Sequence, residues 1–520
     1  MLRLRAVLLL STVISLAACG PGGVASPGEG TIVVPVPGTP APPPPPPPAG
    51  NGTPAAGCPQ GTVDRGVIAT AFRNCEISGR ISDDYTLQKL PGVIYSLAGP
   101  VNVGTDVGGD GALAGGDAVT LTLQAGVTVF GSSGNDYLVI NRGSRINASG
   151  SATQPIIFTA RANVEGSATD STQGLWGGVI LLGRAPISDC NTAVPGGSAA
   201  CQQVIEGTTG SFYGGNVATD NSGTMRFVQI RYSGFAIAPG NELQGLTMGG
   251  VGSNTTIDHI QVHNSSDDGI EIFGGRVNAK HLVVSGADDD GLDTDLGYRG
   301  TIQFVIGIHR DAQNGDSMIE ADSNGNEDAL PRQYTRVSNA TFVQRSTVQG
   351  GNTILYRGGT DYALLNSVVV GPAACLDIDG TGGTTTRAAD TPLQDLGPPV
   401  FRSVVLSCPT PFRDDANVTV AEIQAIFGSG TNGNNSNFTS SLTSLFVNGG
   451  TETGVPATDP TPFNNDTFQT ANAAAPNRLE AVSWIGAVRN ASDTWFAGWT
   501  CNSGYANFSG SGNCTAIPTS

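Results

Sequence analysis

Short apolar runs alternate with acidic turns between Thr256 and Asp322, and one arrangement of them occurs three times in succession. The three copies are Asp267-Asp268-Gly269-Ile270-Glu271-Ile272-Phe273, Asp289-Asp290-Gly291-Leu292-Asp293-Thr294-Asp295 and Asp316-Ser317-Met318-Ile319-Glu320-Ala321-Asp322. Within each copy, apolar and polar positions alternate as they do along a β-strand that has one face in a core. The pattern therefore predicts three equivalent strands.

A second apolar run recurs at the same step. Its copies are Ile260-Gln261-Val262, Leu282-Val283-Val284 and Phe304-Val305-Ile306. Self-similarity at 20–30 residues is typical of a solenoid, and a unit of this length holds two or three strands with their turns but no helix. The sequence therefore predicts an all-β fold, a right-handed parallel β-helix in which each repeat forms one coil.

The repeat places acidic residues in columns. Equivalent residues on successive coils of a β-helix lie one strand spacing apart, about 4.8 Å. We therefore expect one column of Asp267, Asp289 and Asp316, a second of Glu271, Asp293 and Glu320, and a third of Phe273, Asp295 and Asp322. Arg357 and then Asp379 continue the third column in this register, so Arg357 is a candidate counter-charge.

Carboxylates at this spacing repel each other and raise each other's pKa unless a cation neutralises them. Ca²⁺ is the hard cation that carboxylate oxygens bind outside the cytoplasm. The sequence predicts a Ca²⁺ site, and its candidate ligands are Asp267, Asp268, Glu271, Asp289, Asp290, Asp293, Asp295, Asp316, Glu320 and Asp322.

Two other interpretations of the acidic columns stay open. Asp-Gly pairs also form solvated turns. Carboxylates on adjacent coils have the separation that a retaining glycosidase needs, so a catalytic group of Asp293, Glu320 and Arg357 is the alternative. A lyase would combine Ca²⁺ with a basic residue, for which the chain offers few lysines.

The composition limits the class of partner. The chain of 520 residues has a formal charge of −18, with 73 glycines and 13% charged residues. Such acidity argues against nucleic acid as a partner. The glycines suit the many tight turns of a solenoid.

The N-terminus has the features of an export signal. Arg3 and Arg5 precede an apolar stretch that is too short to span a bilayer. Leu16-Ala17-Ala18-Cys19-Gly20 follows and resembles a bacterial lipobox, which implies a signal peptide over residues 1–18, a lipid anchor on Cys19 and a place in the outer membrane. Residues 19–57 form an extended linker with seven consecutive prolines.

The other eight cysteines suggest disulfides in an exported chain. Because a solenoid keeps sequence neighbours close, we expect the pairs 58–75, 190–201, 375–408 and 501–514. We assign residues 58–410 to the β-helix and 411–520 to a C-terminal helix and loop region that caps it. That region contains a capping box, Thr419-x-x-Glu422, and three of the four tryptophans.

Two of the four histidines stand one repeat apart. His259 and His281 are separated by 22 residues and are expected to stack on successive coils. A structural ladder is the interpretation that we favour, and a zinc pair is the alternative.

Several motifs together resemble those of a widespread group of exported bacterial β-helix proteins, many of them surface lipoproteins. They are Trp176-Gly177-Gly178, Gly250-Val251-Gly252-Ser253, Asp267-Asp268-Gly269-Ile270-Glu271, Gly297-Tyr298-Arg299-Gly300 and Trp495-x-x-Gly498-Trp499-Thr500. The resemblance covers about residues 80 to 505 and implies a parallel β-helix. The architecture is more distantly similar to that of pectate lyases and polygalacturonases.

The sequence thus favours a cell-surface lipoprotein that is anchored in the outer membrane and faces the exterior. Its Ca²⁺-binding acidic face would present a surface to a glycan or a partner surface protein. A Ca²⁺-dependent polysaccharide lyase or glycoside hydrolase is the alternative, and a structural spacer or adhesin is the second alternative.

Overall fold

A computed structural model describes residues 52–518, apart from 239, 311–314, 324, 348–351, 381–382, 416, 471 and 510–511. The predicted signal peptide, Cys19 and the linker up to residue 51 lie outside the described residues.

Thirty strands, three short α-helices and two 3-10 helices, Thr391–Leu393 and Thr461–Asn464, make up the regular structure of the described residues. The strands are β1 Val63–Ile68, β2 Phe72–Ile81, β3 Tyr85–Leu87, β4 Val93–Val103, β5 Thr120–Leu123, β6 Thr128–Gly131, β7 Tyr137–Ile140, β8 Arg145–Ser149, β9 Ile156–Ala160, β10 Val179–Leu182, β11 Gln203–Val204, β12 Phe212–Tyr213, β13 Gly223–Arg231, β14 Phe235–Ala238, β15 Asn241–Leu243, β16 Leu246–Gly249, β17 Thr256–His263, β18 Ile270–Phe273, β19 Asn278–Ser285, β20 Leu292–Asp295, β21 Thr301–Ile308, β22 Ile319–Ala321, β23 Tyr334–Val343, β24 Asn352–Tyr356, β25 Asp361–Leu365, β26 Val368–Val370, β27 Ala374–Ile378, β28 Val400–Arg402, β29 Val405–Ser407 and β30 Thr410–Arg413. The helices are α1 Arg161–Val164, α2 Val420–Phe427 and α3 Gly450–Thr453. No helix in the described part of the chain has the length and apolarity needed to cross a bilayer.

Twenty-six of these strands join into one continuous sheet that winds around a single core. It has three faces of parallel strands, which we call sheets 1, 2 and 3. Sheet 1 contains β3, β5, β8, the first halves of β13, β17, β19, β21 and β23, and then β25 and β28. Sheet 2 contains the first parts of β2 and β4, then β6, β9, the second halves of the same five long strands, β26 and β29. Sheet 3 contains the second parts of β2 and β4, then β7, β10, β16, β18, β20, β22, β24, β27 and β30.

This topology confirms the prediction of an all-β parallel β-helix with one repeat per coil. The three acidic runs fall on β18, β20 and β22 of sheet 3, and the second apolar runs fall on β17, β19 and β21 of sheet 2. The inward positions of sheet 3 carry residues such as Ile270, Leu292 and Ile319, which stack in the core.

All four disulfides form between the predicted partners. The predicted capping box is also present: the Thr419 hydroxyl accepts a hydrogen bond from the Glu422 amide, and the Glu422 carboxylate accepts one from the Thr419 amide. Helix α2 covers the last coil, where Phe427 packs on Phe401 and Phe412 at ring distances of 5.3 and 5.4 Å.

The segment after α2 differs from the predicted cap. It runs back along the outer face of sheet 2, towards the first coils. Its backbone meets Asn366 at Thr458, Gln303 at Glu480, Gln261 at Cys501 and Asn163 at Cys514. The reason is that sheet 2 carries apolar side chains outward as well as inward. Val283, Ile306 and Ile308 on this outer face are covered by residues that include Phe446, Val488 and Trp499.

Candidate functional site

The acidic column of Glu271, Asp293 and Glu320 has the predicted register. Glu271 of β18 pairs with Asp293 of β20, and Asp293 pairs with Glu320 of β22. Since Ile270 and Ile272 point into the core, Glu271 between them points outward, and the same alternation applies on the next two coils. The three carboxylates therefore lie one strand spacing apart on the outer face of sheet 3.

The turns before these strands add further carboxylates. Asp268 accepts a hydrogen bond from the backbone amide of Asp290 (2.9 Å), and Asp290 accepts one from the amide of Ser317 (2.6 Å). Each bond joins one coil to the next. The bonds orient the two carboxyl groups and leave each with a second oxygen for other partners.

The outer face of sheet 3 is enclosed, unlike a solvated row of turns. Glu271 is 1% exposed, Asp293 and Asp295 are 0% exposed, and Glu320 is 2% exposed. The long excursion between β10 and β13 lies over this face, where Tyr213 of β12 packs 6.0 Å from Phe273. Burial of this degree makes uncompensated negative charge costly.

Two acidic residues join the group from outside the repeats. The Glu206 carboxylate accepts a hydrogen bond from the Glu242 amide (3.1 Å), and its charge is among those that raise the pKa of Glu271. Both residues lie in insertions between coils, so the periodicity gave no signal for them. A sequence signal for them exists nonetheless: each is an acidic residue in an insertion that precedes the coils of the predicted acidic column.

Arg357 supplies positive charge, as the register predicts. Its guanidinium forms an ion pair with Glu320 and another with Asp322, the latter at 3.1 Å. In the described part of the chain, neither Glu271 nor Asp295 forms an ion pair, and Glu271 Oε2 and both Asp295 oxygens are buried without a hydrogen-bond partner. If these two carboxylates are ionised, a bound cation has to compensate their negative charge.

Two overlapping sets of three residues have the spacing of metal ligands. Asp268, Glu271 and Asp293 form one set, and Asp290, Asp293 and Glu320 form the other, with one ligand atom from each residue within 4.8 Å of the others. Ca²⁺ lies 2.3–2.6 Å from its oxygen ligands, so two ligands of one ion are at most about 5 Å apart. The carboxylates therefore fit a hard divalent cation, and Asp293 belongs to both sets.

The remaining predicted ligands surround these two sets. Asp289 and Asp316 lie in the turns before β20 and β22, and Asp295 lies on β20 two residues after Asp293. Asp322 forms an ion pair with Arg357. The Asp267 carboxylate accepts a hydrogen bond from Gln244 Nε2 at 3.3 Å. The structure thus brings the ten predicted residues into one region, with five of them in the metal-like sets.

Burial and mutual repulsion raise the pKa of these carboxyls. Burial, followed by the charges of neighbours such as Glu206 and Asp268, raises the pKa of Glu271 well above its usual range. Burial together with Asp316 raises the pKa of Asp289 to about 8, and burial raises that of Asp316 to about 6. A bound cation favours the ionised form and opposes these shifts.

His259 and His281 stack at the corner between sheets 1 and 2, as predicted for a ladder. Their ring centroids are 4.3 Å apart, and both residues have positive φ (56° and 54°). The Nδ1 atoms of both rings contact Asp258 Oδ1 at 2.8 Å. Phe227 and Phe304 extend the stack at 4.4 and 5.0 Å. The histidines are therefore part of a continuous aromatic column at this corner. Together with Asp258 they also have the spacing of metal ligands, so the zinc pair stays the alternative prediction.

A second site lies where this corner meets the C-terminal segment. A pocket of about 430 Å³ is lined by aromatic residues and by charged and polar residues of that segment: His281, Phe304, Trp484, Trp495, Glu480, Arg489, Asn490, Ser492 and Asp493. The Trp484 ring stacks with Phe304 at 6.3 Å, and its indole Nε1 is buried without a hydrogen-bond partner among the described residues. Half-buried aromatic faces beside polar groups suit ligands that have both apolar faces and hydroxyl groups.

The fold and the enclosed carboxylate columns define a parallel β-helix protein. A family model described as a pectate-lyase-like β-helix domain matches residues 102–500, and the chain belongs to this family. No curated protein and no solved structure matches the chain significantly.

Proposed function

We propose that the acidic face of sheet 3 binds Ca²⁺ and that the ions hold neighbouring coils together. One observation carries this proposal: Glu271, Asp293 and Glu320 lie in register on three successive strands, and all are buried. The unpartnered Glu271 Oε2 adds support, because a buried carboxylate oxygen without a donor needs a cation or a proton.

The geometry favours two ions that share a ligand. The first ion would contact Asp268, Glu271 and Asp293, and the second would contact Asp290, Asp293 and Glu320. A carboxylate has two oxygens, so Asp293 can bridge the ions. Other oxygen atoms of the enclosed face would complete the six to eight ligands that Ca²⁺ takes.

The test is to count ions and measure their effect on stability. Dialysis against Ca²⁺ followed by elemental analysis should give two ions per chain. The melting temperature should rise with Ca²⁺ and fall with a chelator, with Mg²⁺ as the comparison ion. A chain that retains no Ca²⁺ and melts at the same temperature with and without chelator would contradict the proposal.

We further propose that the protein presents a glycan-binding surface, and the aromatic pocket beside Trp484 and Trp495 is its best candidate. The acidic face itself is covered and has little surface for a glycan, whereas the pocket is open and combines rings with Asp493, Glu480 and Arg489. Sugar rings stack on aromatic faces while their hydroxyls bind polar side chains. Membership of a pectate-lyase-like family supports a role connected with polysaccharide.

A glycan array followed by calorimetry tests this part of the proposal. Trp495→Ala should weaken binding of a glycan that the array identifies, and Tyr85→Ala, in the first coils of the β-helix, should not. Equal binding by wild type and Trp495→Ala would place the glycan outside this pocket, whereas absence of binding to every glycan would leave a partner surface protein as the remaining candidate.

Anchoring in the outer membrane is the third part of the proposal. It is supported by the lipobox-like sequence ending at Cys19 and by the proline-rich linker up to residue 57, which has the length to hold a domain away from the membrane. Metabolic labelling with a fatty acid should modify the wild-type chain and not Cys19→Ser. Protease treatment of intact cells should degrade the chain if it faces the exterior.

The enzymatic alternative uses Asp293, Glu320 and Arg357. The three residues are close together, but Asp293 and Glu320 are buried and Arg357 is engaged by Glu320 and Asp322. A polymer would have to displace the covering segment to reach them, so this arrangement favours cation binding. Release of sugar in a polysaccharide screen, abolished by Glu320→Gln, would support the enzyme instead.

A further inference from the structure

A cluster of arginines lies at a different corner of the β-helix, between sheets 3 and 1. Arg276 precedes β19 and Arg299 precedes β21 at equivalent positions, three residues before the paired Ala279 and Ile302. Arg336 lies one coil further on, where it pairs with Thr301. The coil repeat therefore places Arg276 and Arg299 in equivalent positions on successive coils, and Arg336 lies two positions further along on the next coil.

The three arginines are buried and differ in how their donors are used. Arg299 donates two hydrogen bonds to the Asp466 carboxylate, at 2.7 and 2.6 Å. Arg336 donates to backbone carbonyls, among them that of Arg299. Arg276 Nη1 donates to the carbonyls of Gly275 and Gly297, whereas its Nε and Nη2 are buried without a partner in the described part of the chain.

The charges of the cluster do not balance. Asp466 is the carboxylate that pairs with Arg299, while Arg276 and Arg336 have carbonyl partners and form no ion pair within the described residues. Burial together with the charge of Arg299 lowers the pKa of Arg276 to about 9, which still leaves it charged at neutral pH. Buried cations of this kind are stabilised when an anion binds beside them.

A cavity adjoins the arginine cluster. Its volume is about 70 Å³, and its wall contains all three arginines, Arg478, Asp466 in its ion pair with Arg299, and neutral residues such as Asn278 and Thr301. This volume holds one small ion or a single charged group, and it is too small for a whole sugar ring. Guanidinium groups bind planar and tetrahedral oxyanions through paired N–H donors.

We propose that this cavity binds an oxyanion beside the guanidinium group of Arg276, flanked by Arg336 and Arg478. The ion has two possible sources with the same chemistry. One is free sulfate or phosphate, and the other is a carboxylate carried by an acidic saccharide. The site is independent of the Ca²⁺ site on sheet 3, so either can fail without the other.

Calorimetry on the full chain tests the proposal with sulfate, phosphate and galacturonate as probes, at constant ionic strength. At least one probe should bind, and Arg276→Gln should weaken it by about tenfold or more, as expected when hydrogen bonds to a charged group are lost. Arg80→Gln, an exposed arginine near the first coils, should bind as wild type does. Binding of sulfate or phosphate but not galacturonate would identify the ligand as a free ion. Binding of galacturonate would identify it as the carboxylate of an acidic saccharide.

A second substitution, at the partly exposed Arg478 in the wall of the cavity, tests the proposal if the first variant does not fold. If Arg276→Gln does not fold, Arg478→Gln should fold, because Arg478 is partly exposed, and it should still weaken binding several-fold. Absence of binding by all three probes, or unchanged affinity in a folded Arg276→Gln variant, would overturn the proposal.

Discussion

Glu271 of β18 and Asp293 of β20 lie directly opposite each other on neighbouring parallel strands, and both side chains are enclosed. Two ionised carboxylates at the strand spacing repel by roughly 3–4 kcal/mol at an effective dielectric constant of about 20. The pair is therefore unfavourable by itself and becomes favourable when a divalent cation lies between its members.

We expect Asp293→Asn to remove the effect of Ca²⁺ at both proposed positions, because Asp293 belongs to both ligand sets. In chelator, the same variant should melt at or above the wild-type temperature, since one repelling charge is gone. Calorimetric melting with and without Ca²⁺ measures both effects. Asp377→Asn is the matched control, because Asp377 continues the same outward column two coils later, outside the ligand sets.

The metal-free protein should lose stability as the pH rises from about 4 to about 8. The reason is that Asp289 and Asp316 have folded-state pKa values of about 8 and about 6, above the 3.8 of an exposed aspartate. In this window the native state holds more protons than the unfolded state, so the free energy of unfolding falls with pH. Urea denaturation in chelator across the window provides the measurement. If the free energy of unfolding in chelator stays constant or rises with pH, the prediction is contradicted. In saturating Ca²⁺, the free energy of unfolding should depend less on pH.

Loss of the counter-charge should be costly. Arg357→Met leaves Glu320 and Asp322 without their buried partner, and we expect a loss of about 3–5 kcal/mol in the free energy of unfolding. Ca²⁺ should recover part of this loss, because it neutralises the same carboxylates. Urea unfolding with and without Ca²⁺ measures the difference. Arg402→Gln, an exposed arginine on β28, should stay within about 0.5 kcal/mol of wild type.

The C-terminal segment should be released locally by a single substitution. Gln261 Nε2 donates to the Cys501 carbonyl (3.0 Å), and Gln261 Oε1 accepts from the Cys501 amide (2.8 Å). Gln261→Ala leaves both backbone groups unsatisfied, which should cost about 1–3 kcal/mol. Hydrogen exchange should then become faster around Cys501 and stay unchanged in the exposed variant Gln88→Ala. Equal protection in both variants would show that the bond pair does not hold the segment.

The parts of the molecule that follow the repeat could be predicted from the sequence. Register placed Glu271, Asp293 and Glu320 in one column and Arg357 beside Asp322, because strand alternation and a constant coil fix both the face and the neighbour. Glu206 and Glu242 lie in insertions, where no period applies. Arg276 and Arg299 do follow the repeat, so their stacking was accessible to the same reasoning.

The course of the C-terminal segment could not be predicted in this way. It docks through its backbone to side-chain amides such as Gln303, which donates to the Glu480 carbonyl and accepts from the Glu480 amide. Backbone groups are the same in every residue, so such contacts leave no pattern in the segment's own sequence. The outward apolar residues Val283 and Ile306 are the sequence signal that this face needs a cover.

This return path changes how the solenoid should come apart. Coils that touch only their neighbours can fray one by one from either end. Here the last coil continues into a segment that contacts Asn366, then Gln303 and Gln261, and finally Asn163 near the beginning of the stack. The C-terminal segment thus connects distant coils along the length of the β-helix, and the molecule should unfold as a single cooperative unit.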